Sequence, residues 1–69
     1  MKNNIKELRK EKKYRQEDLA NELGVTRQTI NAIENDKYDP TLKLAFKLAS
    51  ILETTVDELF EHDPKKYDV

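Results

Sequence analysis

The chain has 69 residues, enough for one small domain and not for two. It has no Cys, one His and no apolar run near the roughly 20 residues that span a bilayer, so disulfides, thiolate or His-built zinc sites and a membrane helix are excluded. The formal net charge of −1 argues, taken alone, against a nucleic-acid binder, because such domains are usually basic.

That sum hides an asymmetry. Residues 1–15 carry seven basic and two acidic side chains, and residues 16–25 carry only the acids Glu17, Asp18 and Glu22. Residues 26–38 balance, and residues 39–69 carry four basic and seven acidic side chains. One end of the molecule can present a positive field, although a charge run is also the ordinary composition of a solvated face. The opening MKNNIKELRK lacks the apolar stretch of a signal peptide, so a soluble, cytoplasmic protein is expected.

Apolar spacing is helical throughout. Ile5 and Leu8 mark a first helix near residues 3–13. Leu19, Ala20 and Leu23 mark a second over 16–23, and Gly24 supplies the left-handed residue that ends it. Thr26 is a good N-cap for a third helix over 27–34, with Ile30 and Ile33 turned inward. Residues 35–40 read as a loop. Thr41 caps a fourth helix, where Leu42, Ala45, Leu48, Ala49 and Leu52 recur at three and four. Thr55 and Glu58 have capping-box spacing for a short fifth helix ending near Phe60. The expected class is all-α: one domain over 1–69, with a five-helix core at 4–60 and a polar tail at 61–69.

Function concentrates in residues 16–30. A short helix, a turn at a Gly and a second helix starting on Thr form a helix-turn-helix pattern. Ala20 is small enough for the helices to approach closely, and Val25 packs between them. Arg27, Gln28 and Asn31 are left facing outward, with Thr29 beside them. These side chains suit base edges: Arg pairs with guanine, Gln or Asn with adenine, and a Thr methyl meets the thymine methyl. Free backbone N–H groups at the helix start can meet phosphate.

Gln16, Leu19-Ala20, Leu23-Gly24-Val25-Thr26-Arg27-Gln28-Thr29-Ile30, Ile33-Glu34-Asn35 and Pro40-Thr41-Leu42 together closely resemble the Cro/CI-type (XRE) helix-turn-helix family of phage and bacterial repressors. The resemblance covers about residues 4–60, and within the family the chain is most similar to small dimeric repressors. It implies that Arg27, Gln28, Thr29 and Asn31 read bases. It implies phosphate contacts from Gln16, Thr26, Asn35, Lys37 and Tyr38, and a structural ion pair between Arg9 and Glu34. The basic first helix is expected on the duplex side. A small antiparallel pairing of Met1–Asn3 with the stretch near His62–Asp63 is also implied.

Two positions depart from the family pattern. Arg15 stands where a Ser or Thr usually caps the second helix, and it either reaches a phosphate or is simply solvated. Asp36 stands where Gly is common, which affects how closely the loop approaches DNA. Tyr14 reads as a lid on the core edge or as a phosphate contact, and His62 as a solvated tail residue. Val56 and Phe60 are either core or, with Leu52, a self-complementary dimer patch.

The expected protein is a homodimeric, sequence-specific regulator of double-stranded DNA, acting as a repressor on a pseudo-palindromic operator. A protein–protein module of the same fold, such as an antitoxin-like partner, is the alternative. No nucleophile–base pair, metal cluster or phosphate loop is present, so no catalytic residue, cofactor, metal or small-molecule effector is expected.

Overall fold

Three of the five helices start on a Thr whose hydroxyl caps the first turn, and four run out into a left-handed residue. In the computed structural model, which describes residues 1–61, the order is α1 (Ile5–Glu11), α2 (Gln16–Leu23), α3 (Arg27–Glu34), α4 (Leu42–Ile51) and α5 (Val56–Leu59). The Oγ1 atoms of Thr26, Thr41 and Thr55 accept from the N–H groups of Thr29, Leu44 and Glu58 at 3.1, 3.2 and 3.2 Å. Each such cap contributes about 1 kcal/mol. At α5 the capping box is only half formed, because the Glu58 carboxylate accepts instead from the Thr54 hydroxyl at 3.2 Å.

The helix ends share one motif. Lys13, Gly24, Asp36 and Glu53 have φ of 61°, 71°, 61° and 56°. The N–H groups of Tyr14, Val25, Lys37 and Thr54 then reach back to the carbonyls of Arg9, Ala20, Ala32 and Ala49 at 2.9–3.0 Å. These are the six-to-one bonds of a Schellman turn, which satisfy carbonyls a helix end leaves open. Only one of the four turns uses Gly. The left-handed φ of Asp36 explains why Gly suits that place, and an Asp tolerates it better than most side chains.

The first helix is shorter than its periodicity suggests, and both ends have a cause. Asn3 forms an antiparallel bridge with Phe60, and its Oδ1 accepts from the Ile5 N–H at 3.1 Å. Lys13 turns left-handed and stops the other end. The N-terminal segment therefore pairs with the segment leaving α5, as this isolated bridge, with the Asn4 N–H on the Leu59 carbonyl and the Glu61 N–H on the Lys2 carbonyl, both at 2.8 Å. The expected pairing at His62–Asp63 lies outside the described residues, as does His62 itself.

The core is built from every helix. Ile5, Leu19, Ile30, Ile33, Leu48, Leu52 and Leu59 are fully buried. Each such side chain stabilises by about 1.5–3 kcal/mol relative to exposure. Ala20 and Ala49 are buried small residues, consistent with close helix approach, and α2 and α3 share the most extensive helix–helix contact. Tyr14, Val25 and Val56 pack partly buried against this core.

Leu52 must be removed from the dimer patch. It is 1% exposed within the protomer, so it has no surface left for a second chain. Phe60, at 8%, offers only an edge. Among the described residues, the large apolar side chains that do reach solvent are Leu42 at 69%, Phe46 at 59% and Tyr38 at 48%.

Candidate nucleic-acid interface

Helix α3 has two unlike sides because Ile30 and Ile33 lie three apart. Both are buried, which fixes its rotation. Arg27, Gln28 and Asn31 are thereby exposed on the opposite side. Gln28 and Asn31 are three apart, and Arg27 and Asn31 four apart, so the three occupy one face. Asn35 continues that line, but its Nδ2 donates to the Asn31 carbonyl at 2.8 Å. That bond closes the end of α3 and engages one of its two amide hydrogens.

Thr29 is less open than its neighbours. It is half-buried, its Oγ1 lies 3.0 Å from Thr26 Oγ1, and it borders a shallow groove with Val25, Tyr38, Lys43, Leu44 and Lys47. The Thr26–Thr29 pair thus fixes the start of α3, and Thr29 presents its side chain toward α4 rather than alongside Gln28.

Behind the exposed face of α3 lies the one buried ionic cluster among the described residues. Arg9 Nε donates to Glu34 Oε2 at 2.7 Å and Arg9 Nη2 to Glu34 Oε1 at 3.2 Å. Arg9 Nη1 donates to the Tyr14 carbonyl at 2.9 Å. The two side chains are 10% and 3% exposed, so the pair ties α1 to the end of α3 from inside. Gln16 Nε2 donates to the same Glu34 Oε1 at 3.1 Å. The Gln16 amide is therefore already oriented at the first turn of α2, with its second hydrogen available for a phosphate oxygen.

Arg15 solves the missing cap in an indirect way. An Arg side chain has no acceptor, so it cannot cap α2 itself. Asp18 Oδ2 accepts from the Arg15 backbone N–H at 2.9 Å and from Nε at 3.1 Å, while Oδ1 accepts from Nη2 at 3.1 Å. The guanidinium, then the backbone N–H, hold the Asp18 carboxyl below the usual carboxylate range. The Arg15 side chain is 77% exposed, so its outer edge still faces solvent.

Two cations of the basic first helix are committed within the protomer, while Lys6, Lys10 and Lys13 are exposed with no carboxylate within 4.0 Å among the described residues. Arg9 is buried on Glu34, and Lys12 pairs with Glu53 just beyond α4, holding the Glu53 carboxyl below its ordinary range. Lys37 and Tyr38 lie exposed in the loop after α3.

Sequence reasoning missed the residue that anchors the C-terminal end of α3. Asn3 Nδ2 donates to the Ile33 carbonyl at 2.8 Å and lies 3.2 Å from Asp36 Oδ1. The N-terminal ammonium pairs with Asp39 at 3.0 Å. No local pattern announces either contact, because the partners are 30 and 38 residues apart.

The family model described as Helix-turn-helix matches residues 5–59, which takes in all five helices. The chain belongs to that family, as an XRE-type DNA-binding transcriptional regulator. The regulator is 51% identical over 63 residues to an uncharacterised HTH-type transcriptional regulator of Methanocaldococcus jannaschii, covering 91% of this chain and 96% of that protein. It is 45% identical over 60 residues to the HTH-type transcriptional regulator YgzD of Bacillus subtilis, covering 87% and 91%. It is 35% identical over 66 residues to the HTH-type transcriptional regulator SinR of Bacillus licheniformis, covering 93% of this chain and 60% of that protein. Such a regulator is not an enzyme. Among the described residues, no helix is long and apolar enough to cross a membrane.

Proposed function

We propose that the regulator binds a pseudo-palindromic operator as a homodimer and represses transcription, each protomer laying α3 in a major groove. The observation that carries this reading is the exposed Arg27–Gln28–Asn31 face, held in one orientation by buried Ile30 and Ile33. Arg27 suits guanine, and Gln28 and Asn31 suit adenine. Thr29, turned toward α4 and bonded to Thr26, supports the start of α3 rather than reading a base. Gln16, Arg15, Thr26, Asn35, Lys37 and Tyr38 surround this face with donors for phosphate oxygens, which set register rather than sequence.

The dimer forms through the groove beside α4 and α5, where Val56 and the edge of Phe60 meet Leu42, Pro40 and Met1. Val56 and exposed Leu42 supply its apolar centre. A twofold pairing there sets the two α3 helices about 34 Å apart, one helical turn of DNA. Repression follows from occupying a promoter in competition with polymerase, which needs no effector domain.

The test is Gln28→Ala in a gel-shift titration on duplexes selected from a random pool. Affinity should fall by about 1–3 kcal/mol, with preference relaxed at one base position per half-site. Unchanged affinity and preference would show that α3 does not read through this face. Val56→Asp should shift sedimentation equilibrium toward monomer while helicity is retained.

A further inference from the structure

The segment from residue 26 to residue 52 looks almost neutral as sequence. It holds the cations Arg27, Lys37, Lys43 and Lys47 and the acids Glu34, Asp36 and Asp39. The fold changes that balance. Glu34 is neutralised by Arg9, and Asp39 by the N-terminal ammonium, both partners lying outside the segment. The third acid, Asp36, is held by the Asn3 amide. Among the described residues, none of the four cations has a carboxylate within 4.0 Å. Among the described residues, four uncompensated cations therefore stand against one uncompensated carboxylate.

Two of the four are placed together. Lys43 and Lys47 are four apart on α4, hence on one side of it, and both are exposed. Both border the groove that also holds Thr29 and Tyr38. That groove begins at the first turn of α3, so its far wall runs beside whatever α3 enters. A Lys ammonium is a mobile point charge on a long stem, which suits a phosphate and carries no base preference.

We infer that Lys43 and Lys47 form a phosphate-binding track on α4, flanking the reading helix across the Thr29–Tyr38 groove. The inference rests on the DNA-binding reading above and adds two contacts to it. Because these contacts neutralise backbone charge, they act on all sequences alike. They offset the weak random-DNA binding that a net charge of −1 implies, and leave discrimination to Arg27, Gln28 and Asn31.

The experiment measures dissociation constants against salt concentration for the wild type, Lys43→Ala, Lys47→Ala and the double variant. The probes are a mixed-sequence duplex and a duplex selected from a random pool by the wild type. Each neutralised phosphate contributes about 0.9 to the slope of log affinity against log salt. Each single variant should therefore flatten the slope by about one, and the double variant by about two, on both duplexes. The ratio of selected to mixed affinity should be unchanged. Helicity by circular dichroism should be retained, since both side chains are exposed and Ala favours a helix.

A double variant with the wild-type slope overturns the inference. So does a collapse of the affinity ratio, which would place these lysines among the base-reading groups. A wild type that binds neither duplex would instead sink the DNA-binding reading itself, and the inference with it.

Discussion

The α2–α3 unit and the seam that the N-terminal segment makes with the rest of the fold are both well bonded, but over very different spans. In the first, Thr26 bonds Thr29 three residues on, and Val25 bonds Ala20 five residues back. In the second, Asn3 reaches Ile33, Met1 reaches Asp39 and Asn4 reaches Glu58, across 30, 38 and 54 residues. Local bonds shape α3, and distant bonds hold it in place. Residues that touch DNA and residues that fix α3 should therefore separate cleanly in their effects.

The largest expected effect breaks the link between the two regions. Glu34→Ala leaves the Arg9 guanidinium, in a residue 8% exposed, without its carboxylate. Stability should fall by about 3–5 kcal/mol in urea unfolding. The double variant Arg9→Met with Glu34→Met should recover most of that loss, because burying no charge avoids the desolvation cost. If Glu34→Ala unfolded at the wild-type midpoint, the pair would not be what ties α1 to α3.

Next comes Gln28→Ala, the mirror image of that result. It should cost about 1–3 kcal/mol of operator affinity while stability stays within about 0.5 kcal/mol. Asn3→Ala follows, with a loss of about 1–2 kcal/mol in stability from the abandoned Ile33 carbonyl. Hydrogen exchange should quicken at the end of α3, where Asn3 bonds, and stay slow at its Thr26-capped start.

Lys13→Gly tests the shared helix ending and should act in the opposite direction. A left-handed residue with a side chain costs about 1–2 kcal/mol, and Gly returns part of this as chain entropy. The net expectation is about 0.5–1 kcal/mol of added stability, or a few degrees in melting temperature.

The smallest effect is pH dependent. The folded-state Asp18 carboxyl lies below its ordinary range, so its contribution is complete above the unfolded value, about 3.9. It is lost as pH falls from there through the folded value. Asp18→Asn should therefore shed part of the acid-side loss of stability, and the exposed pair makes the change small.

The same difference in span explains what could be read in advance. Thr26, Gly24, Ile30 and Ile33 carry short-range signals, so α2, the turn and α3 have the boundaries their spacing implies. The Arg9–Glu34 contact came with the family resemblance, and the geometry places those atoms together. By contrast, Asn3 is an unremarkable residue until the fold carries Ile33 to it. In one dimension Leu52 and Phe60 suit either the core or a dimer patch, and in the fold the core uses the first and most of the second. Lys43 and Lys47 carry no sequence signal beyond lying four apart on an apolar-striped helix. Only the fold shows that nearby acids are engaged elsewhere and that both lysines border the groove beside α3.

The central claim is that the outward side of α3 carries sequence recognition. Parallel selections from one random duplex pool, with the wild type and with Gln28→Ala, test it most directly. The account predicts a palindrome bound by two chains for the wild type, and the same palindrome with one degenerate position in each half-site for the variant. Identical preferences from both proteins would contradict it.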